Sequence, residues 1–423
     1  MLTSICGINW GDEGKGRMVD LLSSDYDIVC RYQGGNNAGH TVINERGRFI
    51  LNLLPSGILR EKVVNVLGCG MVIDIKHLSE EMARLTERGI KITPENLKIS
   101  DRAVITMPYH VRLDCLEEER LADKKFGSTR RGIAPVYSDK YMKKAFRMGE
   151  LFHKELLKER VKEIVEWKNL TIVGGYKSEP VSAEEMLDYF KQYGEPLLPF
   201  ITDTGLYLNE AEKAGKKIMF EAQLGALRDI DFGIYPYTSS SSTIAAYAPI
   251  GAGVPNLKIE KSIGIMKAYS TCVGEGPFTA EYSGEKAHNL REAGGEYGAA
   301  TGRPRRVGPF DVVASTYGIR CQGADEIALT KLDVLSGFDE LEICTAYELD
   351  GKIIKDFPFP DLLDQCKPVF EKVKGWKQNI SGCRKPEDLP KEALDYIRLI
   401  EKLCNTRITY VSVGAERDEI VKF

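Results

Sequence analysis

Asp12, Glu13 and Lys15 fall within one glycine-rich run, residues 10–17 (WGDEGKGR), and their chemistry pulls in opposite directions. Glycines let backbone N–H groups converge, a following helix start adds positive potential, and Lys15 supplies a point charge for a terminal phosphate. Two carboxylates at the same place would repel that phosphate unless they hold a divalent cation or take a proton from a substrate. The usual phosphate-loop spacing also fails. Counting back from Lys15, Asn9 stands where glycine is expected, and Gly16 stands where Ser or Thr should follow the lysine. Taken alone, the run also reads as a tight turn with a solvated acidic face.

A second glycine-rich turn, 33–41 (QGGNNAGHT), is dense in amides and carries His40. A lone histidine is commonly structural, but Gly35, Asn36, Asn37 and Gly39 around it suit phosphate contact. Residues 330–335 (TKLDVL) fit guanine: the Asp333 carboxylate accepts from the ring N–H and the exocyclic amine, an edge adenine lacks, while the Lys331 stem covers the base. By itself this segment also reads as a strand end with solvated charges. Residues 294–308 (GGEYGAATGRPRRVG) combine glycine hinges with Arg303, Arg305 and Arg306. Such a loop either orders around a carboxylate or phosphate ligand or stays a solvated basic loop. Turns 127–135 and 220–231 add hydroxyl, amide and charged groups near glycine, and the serine run 239–242 reads as a flexible loop.

Such turns need a scaffold that brings distant loops to one edge. Apolar strand candidates recur at 2–8, 27–32, 49–54, 63–67, 217–220, 262–269, 326–332 and 407–413. Amphipathic helical stretches at 75–88, 149–167, 183–193 and 389–404 lie between several of them. The alternation predicts an α/β architecture around a largely parallel sheet, whose carboxyl edge would gather the glycine-rich turns. Segments 41–43 and 48–53, joined by 44–47, predict an antiparallel hairpin added to that sheet. No Pro- or Ser-rich linker and no solenoid repeat divides the chain, so one domain over 1–423 is expected, with a mainly helical insertion at about 75–215.

With 423 residues, 43% of them hydrophobic and 28% charged, the chain can bury a large core. A net charge of -4 supplies no basic field for nucleic acid. Ten cysteines without a CxxC pair read as reduced thiols, and five scattered histidines lack the helical spacing of a zinc hydrolase. No stretch approaches membrane-spanning length and the first strand begins at once, so a cytoplasmic protein is expected.

The segments WGDEGKG, RYQGGNNAGHT, LPSGIL, DIDFGIYPY, KAYST, GPF, YGAATGR, TKLD and SVGAER follow one another in this order, and on them the chain resembles the adenylosuccinate synthetases from Ile5 to about Arg417. The resemblance implies a P-loop-NTPase-like fold: a large central, mostly parallel sheet flanked by helices, with an antiparallel hairpin and helical insertions. It also implies a Mg2+-dependent, GTP-using ligase of AMP biosynthesis that joins IMP to L-aspartate through a 6-phosphoryl-IMP intermediate. Adenylosuccinate, GDP and phosphate would be the products, and a homodimer would complete each site across its interface. Phosphoryl transfer suits the chemistry, because it turns the poor C6 oxygen leaving group of hypoxanthine into one an amine can displace.

On this resemblance Asp12 is the base for the IMP N1 proton and a magnesium ligand, and the Gly39 carbonyl is a second ligand. His40 would donate to the transferring phosphoryl group, Lys15 would hold it, and Gln223 would complete the catalytic set. GTP contacts would fall to Asp12, Glu13, Gly14, Lys15, Gly16, Gly39, His40, Thr41 and Arg305, with guanine held by Lys331, Leu332, Asp333, Ser412, Val413 and Gly414. IMP would touch Asp12, Asn37, Ala38, Gly39, Thr129, Lys143, Gln223, Ser239, Val273 and Arg303. Thr301, Arg303 and Arg305 would hold the substrate aspartate.

Several positions depart from the family pattern. FEAQLG replaces FEGAQG, so Leu224 stands in the glutamine column and Gln223 one place earlier. Either the loop shifts to present Gln223, or that contact with the IMP intermediate is lost. Lys143 replaces an arginine that reaches the neighbouring subunit's nucleotide phosphate, keeping the charge without the bidentate fork. Thr238 and Ser239 replace valine and threonine, Ala300 a threonine and Cys272 an arginine. Two other readings fit part of the pattern: a GTP-binding switch or scaffold without ligase chemistry, and the same ligase acting on a different purine nucleotide. Asp12, Lys15, His40, Arg303 and Arg305 together speak against a switch, which needs neither a base nor an aspartate clamp.

Overall fold

The computed structural model describes residues 1–44, 46–297, 302 and 304–423. Its centre is a ten-stranded sheet. In chain order the strands are β1 (Leu2–Gly7), β2 (Ile28–Arg31), β3 (Val64–Leu67), β4 (Leu97–Ser100), β5 (Ile201–Thr202), β6 (Ile218–Glu221), β7 (Lys261–Lys267), β8 (Glu326–Thr330), β9 (Ile408–Ser412) and β10 (Ile420–Lys422). In space the order is β5, β4, β3, β2, β6, β1, β7, β8, β9, β10, and every neighbouring pair is parallel except the last. β1 (LTSICG) is buried along its whole length, as a parallel strand covered on both faces must be.

This order explains how loops far apart in sequence meet. Six adjacent strands, β2, β6, β1, β7, β8 and β9, end in turn at the segments beginning with residues 32, 222, 8, 268, 331 and 413. The chain also reverses around β1, since β1 leads to β2 on one side while β6 leads across to β7 on the other. Ligands of open α/β sheets bind at such a switch point, outside the carboxyl ends of the strands.

Two elements differ from expectation. The hairpin forms, as His40–Asn44 against Gly47–Leu51, but as a separate two-stranded sheet rather than an addition to the central one. β2 is already hydrogen-bonded on both edges, by β6 and β3, so no ladder was open to it. The hairpin instead packs Val42, Phe49 and Leu51 into the core beside Leu53 and Leu54. The 75–215 segment holds helices such as Ile75–Glu87, Pro108–Leu121 and Lys154–Asn169, yet it also supplies β4 and β5, which complete one edge of the central sheet. Both strands are short, and Leu97–Ser100 (LKIS) carries too little pattern to stand out in sequence.

Candidate active site

Between β1 and helix α1 (Lys15–Leu22) the backbone is left-handed at Gly11 (φ 100°), Asp12 (φ 64°) and Gly14 (φ 89°). Such turns point successive N–H groups into one concavity. For Asp12, a non-glycine residue, the conformation costs about 1–3 kcal/mol, the kind of strain retained where a side chain must stand at a fixed place. The two acids are separated as a result. The Asp12 side chain keeps 33% of its surface exposed, whereas Glu13 keeps 2%.

Glu13 turns inward and organises the loop. Its Oε1 accepts from the backbone N–H of Asn9 (3.1 Å) and Gly11 (2.8 Å), and its Oε2 pairs with Lys15 Nζ at 2.5 Å. Gly7 and Gly225 leave the necessary room: a Cβ on either would stand 2.7 Å or 2.5 Å from a Glu13 carboxylate oxygen. Gly16 leaves room of another kind. A Cβ there would lie 2.3 Å from His40 Cδ2 and 2.8 Å from its Cγ, so the His40 ring occupies the space that a Ser or Thr would need.

The His40 ring is fixed from behind. Its Nε2 lies 2.9 Å from Ser56 Oγ and 3.4 Å from Glu221 Oε1, while Ser56 donates to Glu221 through Oγ (2.9 Å) and its backbone N–H (2.8 Å). Burial, with the charges of Arg31 and Lys15 acting the same way, holds the His40 pKa down to about 3, so the ring is neutral. Burial also pushes the Glu221 carboxyl up, against the pull of Arg31.

Gln223 does not stand where a catalytic carboxamide is expected. It is buried; its Oε1 accepts from Gly35 N–H (3.2 Å), and its Nε2 donates to the carbonyls of Gly35 (3.0 Å) and Ala38 (3.3 Å). The amide is thus used to hold the turn that carries Asn37, Ala38, Gly39 and His40. Leu224, half-buried at φ 63°, packs against Gly11. The one-residue displacement explains this, because consecutive side chains in an extended or tightly turned segment point to different sides. Asn37 accepts from Gly35 N–H through Oδ1 (3.2 Å), Gly39 is exposed, and Thr41 lies half-buried in the hairpin.

On the other side of β1, the Arg305 guanidinium bridges two acids, with one nitrogen 2.6 Å from Asp12 Oδ2 and another 2.7 Å from Glu296 Oε2. Glu296 Oε1 accepts from Lys331 Nζ (2.7 Å), Lys267 Nζ (3.0 Å) and Tyr269 Oη (2.5 Å). Burial works to raise the Glu296 carboxyl, but the Lys267 and Lys331 ammonium groups win and hold it well below the carboxylate range. Lys331 also donates to the Gly294 carbonyl (3.0 Å), which leaves only its stem for a base. Two residues on, Asp333 keeps a buried oxygen, Oδ1, without a hydrogen-bond partner, and burial raises its pKa. A buried acceptor left unmet marks a place for a donor-bearing ligand. Segment 412–417 is laced to α1: Arg17 donates to Ser412 Oγ and to the Gly414 carbonyl (2.5 Å), and Arg417 grips Asp20 at 2.7 and 2.8 Å. Leu332 and Val413 are buried beneath these groups.

A third group of loops gathers around Arg228. Its guanidinium donates to the carbonyls of Val273 (2.6 Å), Glu275 (3.2 Å) and Tyr237, and lies 3.1 Å from Cys272 Sγ; its own carbonyl accepts from Ser239 N–H (2.9 Å). Ser239 and Val273 are brought together in this way. The loop of exposed Thr129 approaches the same place, since a Cβ on Gly127 would lie 3.1 Å from Glu275 Cγ. Lys143 is not part of the cluster. It is exposed after the helix Ile133–Tyr141 and touches none of these loops among the described residues. Thr301, Arg303 and Ala300 lie outside the described residues. Arg17, Glu221, Arg228 and Glu296 lie inside segments the sequence singles out (10–17, 220–231 and 294–308), but no individual role follows for them there, because a charge beside glycine is too common to separate from its neighbours.

The family model for adenylosuccinate synthetase matches residues 4–421. An adenylosuccinate synthetase of Caldanaerobacter subterraneus subsp. tengcongensis is 43% identical over 421 residues, covering 99% of this chain and 98% of that protein. One of Lactococcus lactis subsp. lactis is 44% identical over 418 residues, covering 98% and 96%. The solved structure of fully ligated adenylosuccinate synthetase from Plasmodium falciparum superimposes with a TM-score of 0.93 at 35% identity, covering 100% of this chain and 99% of that one. Matched end to end in sequence and in fold, the chain belongs to the adenylosuccinate synthetase family and is a GTP-dependent ligase that joins IMP to L-aspartate in AMP biosynthesis.

Proposed function

We propose that phosphoryl transfer and ligation take place at the carboxyl edge around β1, with Asp12 as the base. One observation carries this reading: Asp12 is the partly exposed acid of the left-handed turn between β1 and α1, and Arg305 reaches it from the loop that resembles the aspartate clamp. In the first step Asp12 takes the N1 proton of IMP and charge moves onto the C6 oxygen. That oxygen attacks the γ-phosphorus, the bond to the bridging oxygen breaks, and GDP leaves. The Lys15 ammonium stabilises the charge on the moving group, and the single N–H of the neutral His40 ring joins it by turning from Ser56, which that N–H meets in this structure. The aspartate amine then attacks C6, the C6–O bond breaks, and phosphate departs as the amine loses a proton. Glu13 binds no substrate in this scheme and instead shapes the loop.

Lys331, Leu332, Asp333, Ser412, Val413 and Gly414 are assigned to guanine, with the unmet Asp333 oxygen taking an N–H of the base. Asn37, Ala38, Thr129, Ser239, Val273 and Arg303 are assigned to IMP, and Thr301, Arg303 and Arg305 to aspartate. Gln223 enters as a positioning residue for the 33–38 turn. Asp12 and the Gly39 carbonyl are hard oxygen donors of the kind Mg2+ takes when it keeps phosphate oxygens and water for its remaining positions. When bound, the ion would offset charge between the β- and γ-phosphates. Lys143 is assigned to the nucleotide phosphate of a partner in a homodimer; the exposed apolar side chains of Tyr141 and Met142 beside it support such an interface. The cytoplasm, where these substrates occur, is the assigned compartment. No helix among the described residues is long and apolar enough to cross a membrane.

The test is purified protein with GTP, Mg2+, IMP and aspartate, followed by the absorbance change of adenylosuccinate formation. Asp12→Ala is expected to abolish turnover while nucleotide binding survives in part. Near-normal turnover of that variant would remove Asp12 from the mechanism. Product with another purine nucleotide but none with IMP would redirect the substrate assignment.

A further inference from the structure

Resting on the site roles assigned above, we infer that Glu296 is a positioning residue that sets the guanine-side Lys331 and the aspartate-side Arg305 at once. The carboxylate has no exposed surface and so touches no ligand itself. Both of its oxygens are used: Oε1 by Lys331, Lys267 and Tyr269, and Oε2 by Arg305. The backbone adds a further tie, since Arg305 N–H donates to the Glu296 carbonyl (2.9 Å). Lys331 follows β8, Lys267 ends β7, and Arg305 continues to Asp12 on the β1 loop, so one buried charge fixes groups delivered by three adjacent strands.

The charge balance supports the same conclusion. Without Glu296, Lys267, Lys331 and Arg305 would face one another with Asp12 and Asp333 as the remaining counter-charges among the described residues, and Lys331 and Arg305 would separate. A buried charge whose partner is removed is strongly destabilised, and here the displaced partners are the two ligand-facing cations. Both nucleotide and aspartate binding would weaken together, whereas the Arg228 cluster assigned to IMP shares no hydrogen bond with Glu296 among the described residues.

Steady-state kinetics of Glu296→Gln, Glu296→Asp and Tyr269→Phe test this, each with a thermal melt. For Glu296→Gln, the KM for GTP and for aspartate should each rise about tenfold or more, with the KM for IMP within about twofold. Glu296→Asp should recover part of both. Tyr269→Phe removes only a donor to Glu296, and should move the same two constants by about threefold in a protein that melts normally. The inference is overturned if the GTP and aspartate constants stay put, if all three KM values move together, or if Glu296→Asp is no better than Glu296→Gln. Should Glu296→Gln not fold, an unshifted Tyr269→Phe overturns it alone. Arg305→Met and Lys331→Met separate this from the underlying site roles: if they leave the aspartate and GTP constants unchanged, it is those roles that fail.

Discussion

Gly16→Ala places a single methyl group against His40, the histidine proposed to donate to the moving phosphoryl group. Its Cβ would lie 2.3 Å from His40 Cδ2, 2.8 Å from Cγ and 3.1 Å from Cβ, so no rotation about the ring's own bond relieves the overlap and the side chain must leave. Leaving breaks the 2.9 Å contact with Ser56 and carries the ring away from the start of α1. Removing one preorganised donor from a transition state lowers kcat about 100- to 1000-fold, and at least the lower figure is expected here. Stability should change little, because His40 opens a hairpin and its side chain keeps 22% of its surface exposed; a loss of about 1 kcal/mol is the lower end for overpacking. GTP affinity should hold within about threefold, since Lys15 and the loop N–H groups are untouched. The decisive measurement is a double-mutant cycle by single-turnover kinetics. If the methyl acts through His40, Gly16→Ala costs almost nothing in a His40→Ala background. An equal loss in both backgrounds, or a kcat within about threefold of the parent, would refute the reasoning.

Asp333→Asn should raise the KM for GTP at least about tenfold, because the ring N–H and exocyclic amine lose their charged acceptor. Xanthosine triphosphate, with an oxygen in place of that amine, should recover activity in the variant; an unchanged GTP constant would take Asp333 out of the guanine site. His40 also makes a pH prediction. Its folded pKa of about 3 lies below the unfolded 6.5, so only the unfolded chain gains this proton between those values. Stability from this residue is therefore full above pH 6.5 and is lost as pH falls toward 3, by at most about 2 kcal/mol on reaching about pH 5, less what the exposed part of the ring restores. Denaturant melts of the parent and of His40→Gln should converge as pH is lowered, and parallel curves would rule the effect out.

The site loops and the sheet beneath them were legible because their signals are local. Runs such as 2–8 and 262–269 are apolar enough to mark buried parallel strands, and the glycine-rich turns 10–17 and 33–41 each follow a strand of this sheet. The strands at 97–100 and 201–202 were not legible, being short and held by neighbours rather than by their own pattern. The hairpin was legible as a hairpin, but its place was not, since that depended on β2 having no free edge. Glu13 shows the same limit inside the site. Next to Asp12 in sequence it reads as a second cleft acid, and only the left-handed turn at Asp12 sends one carboxylate outward and the other into the loop.

Gly16, which departs from the standard phosphate loop, and Cys272 and Leu224, which depart from the family pattern, differ in whether a side chain changed at one position is answered through space at another. Gly16 lacks the hydroxyl of a standard phosphate loop, and the His40 ring fills the vacated volume. Cys272 lacks the guanidinium of its relatives, and Arg228, 44 residues away in sequence, puts one 3.1 Å from its sulfur and on the Val273 carbonyl. Leu224 lacks the family carboxamide, and here no through-space answer exists, because the Gln223 amide is committed to Gly35 and Ala38. The first keeps the volume beside α1 filled and the second keeps a guanidinium beside residue 272, so the local packing and charge are retained. On the proposed site roles, the third changes what the IMP side offers: an apolar Leu224 in place of a donor, with the 33–38 turn held by Gln223 from behind. The IMP side is therefore where this chain's kinetics should differ most from those of relatives that retain the glutamine, while the guanine and aspartate sides, tied through Glu296, should differ least.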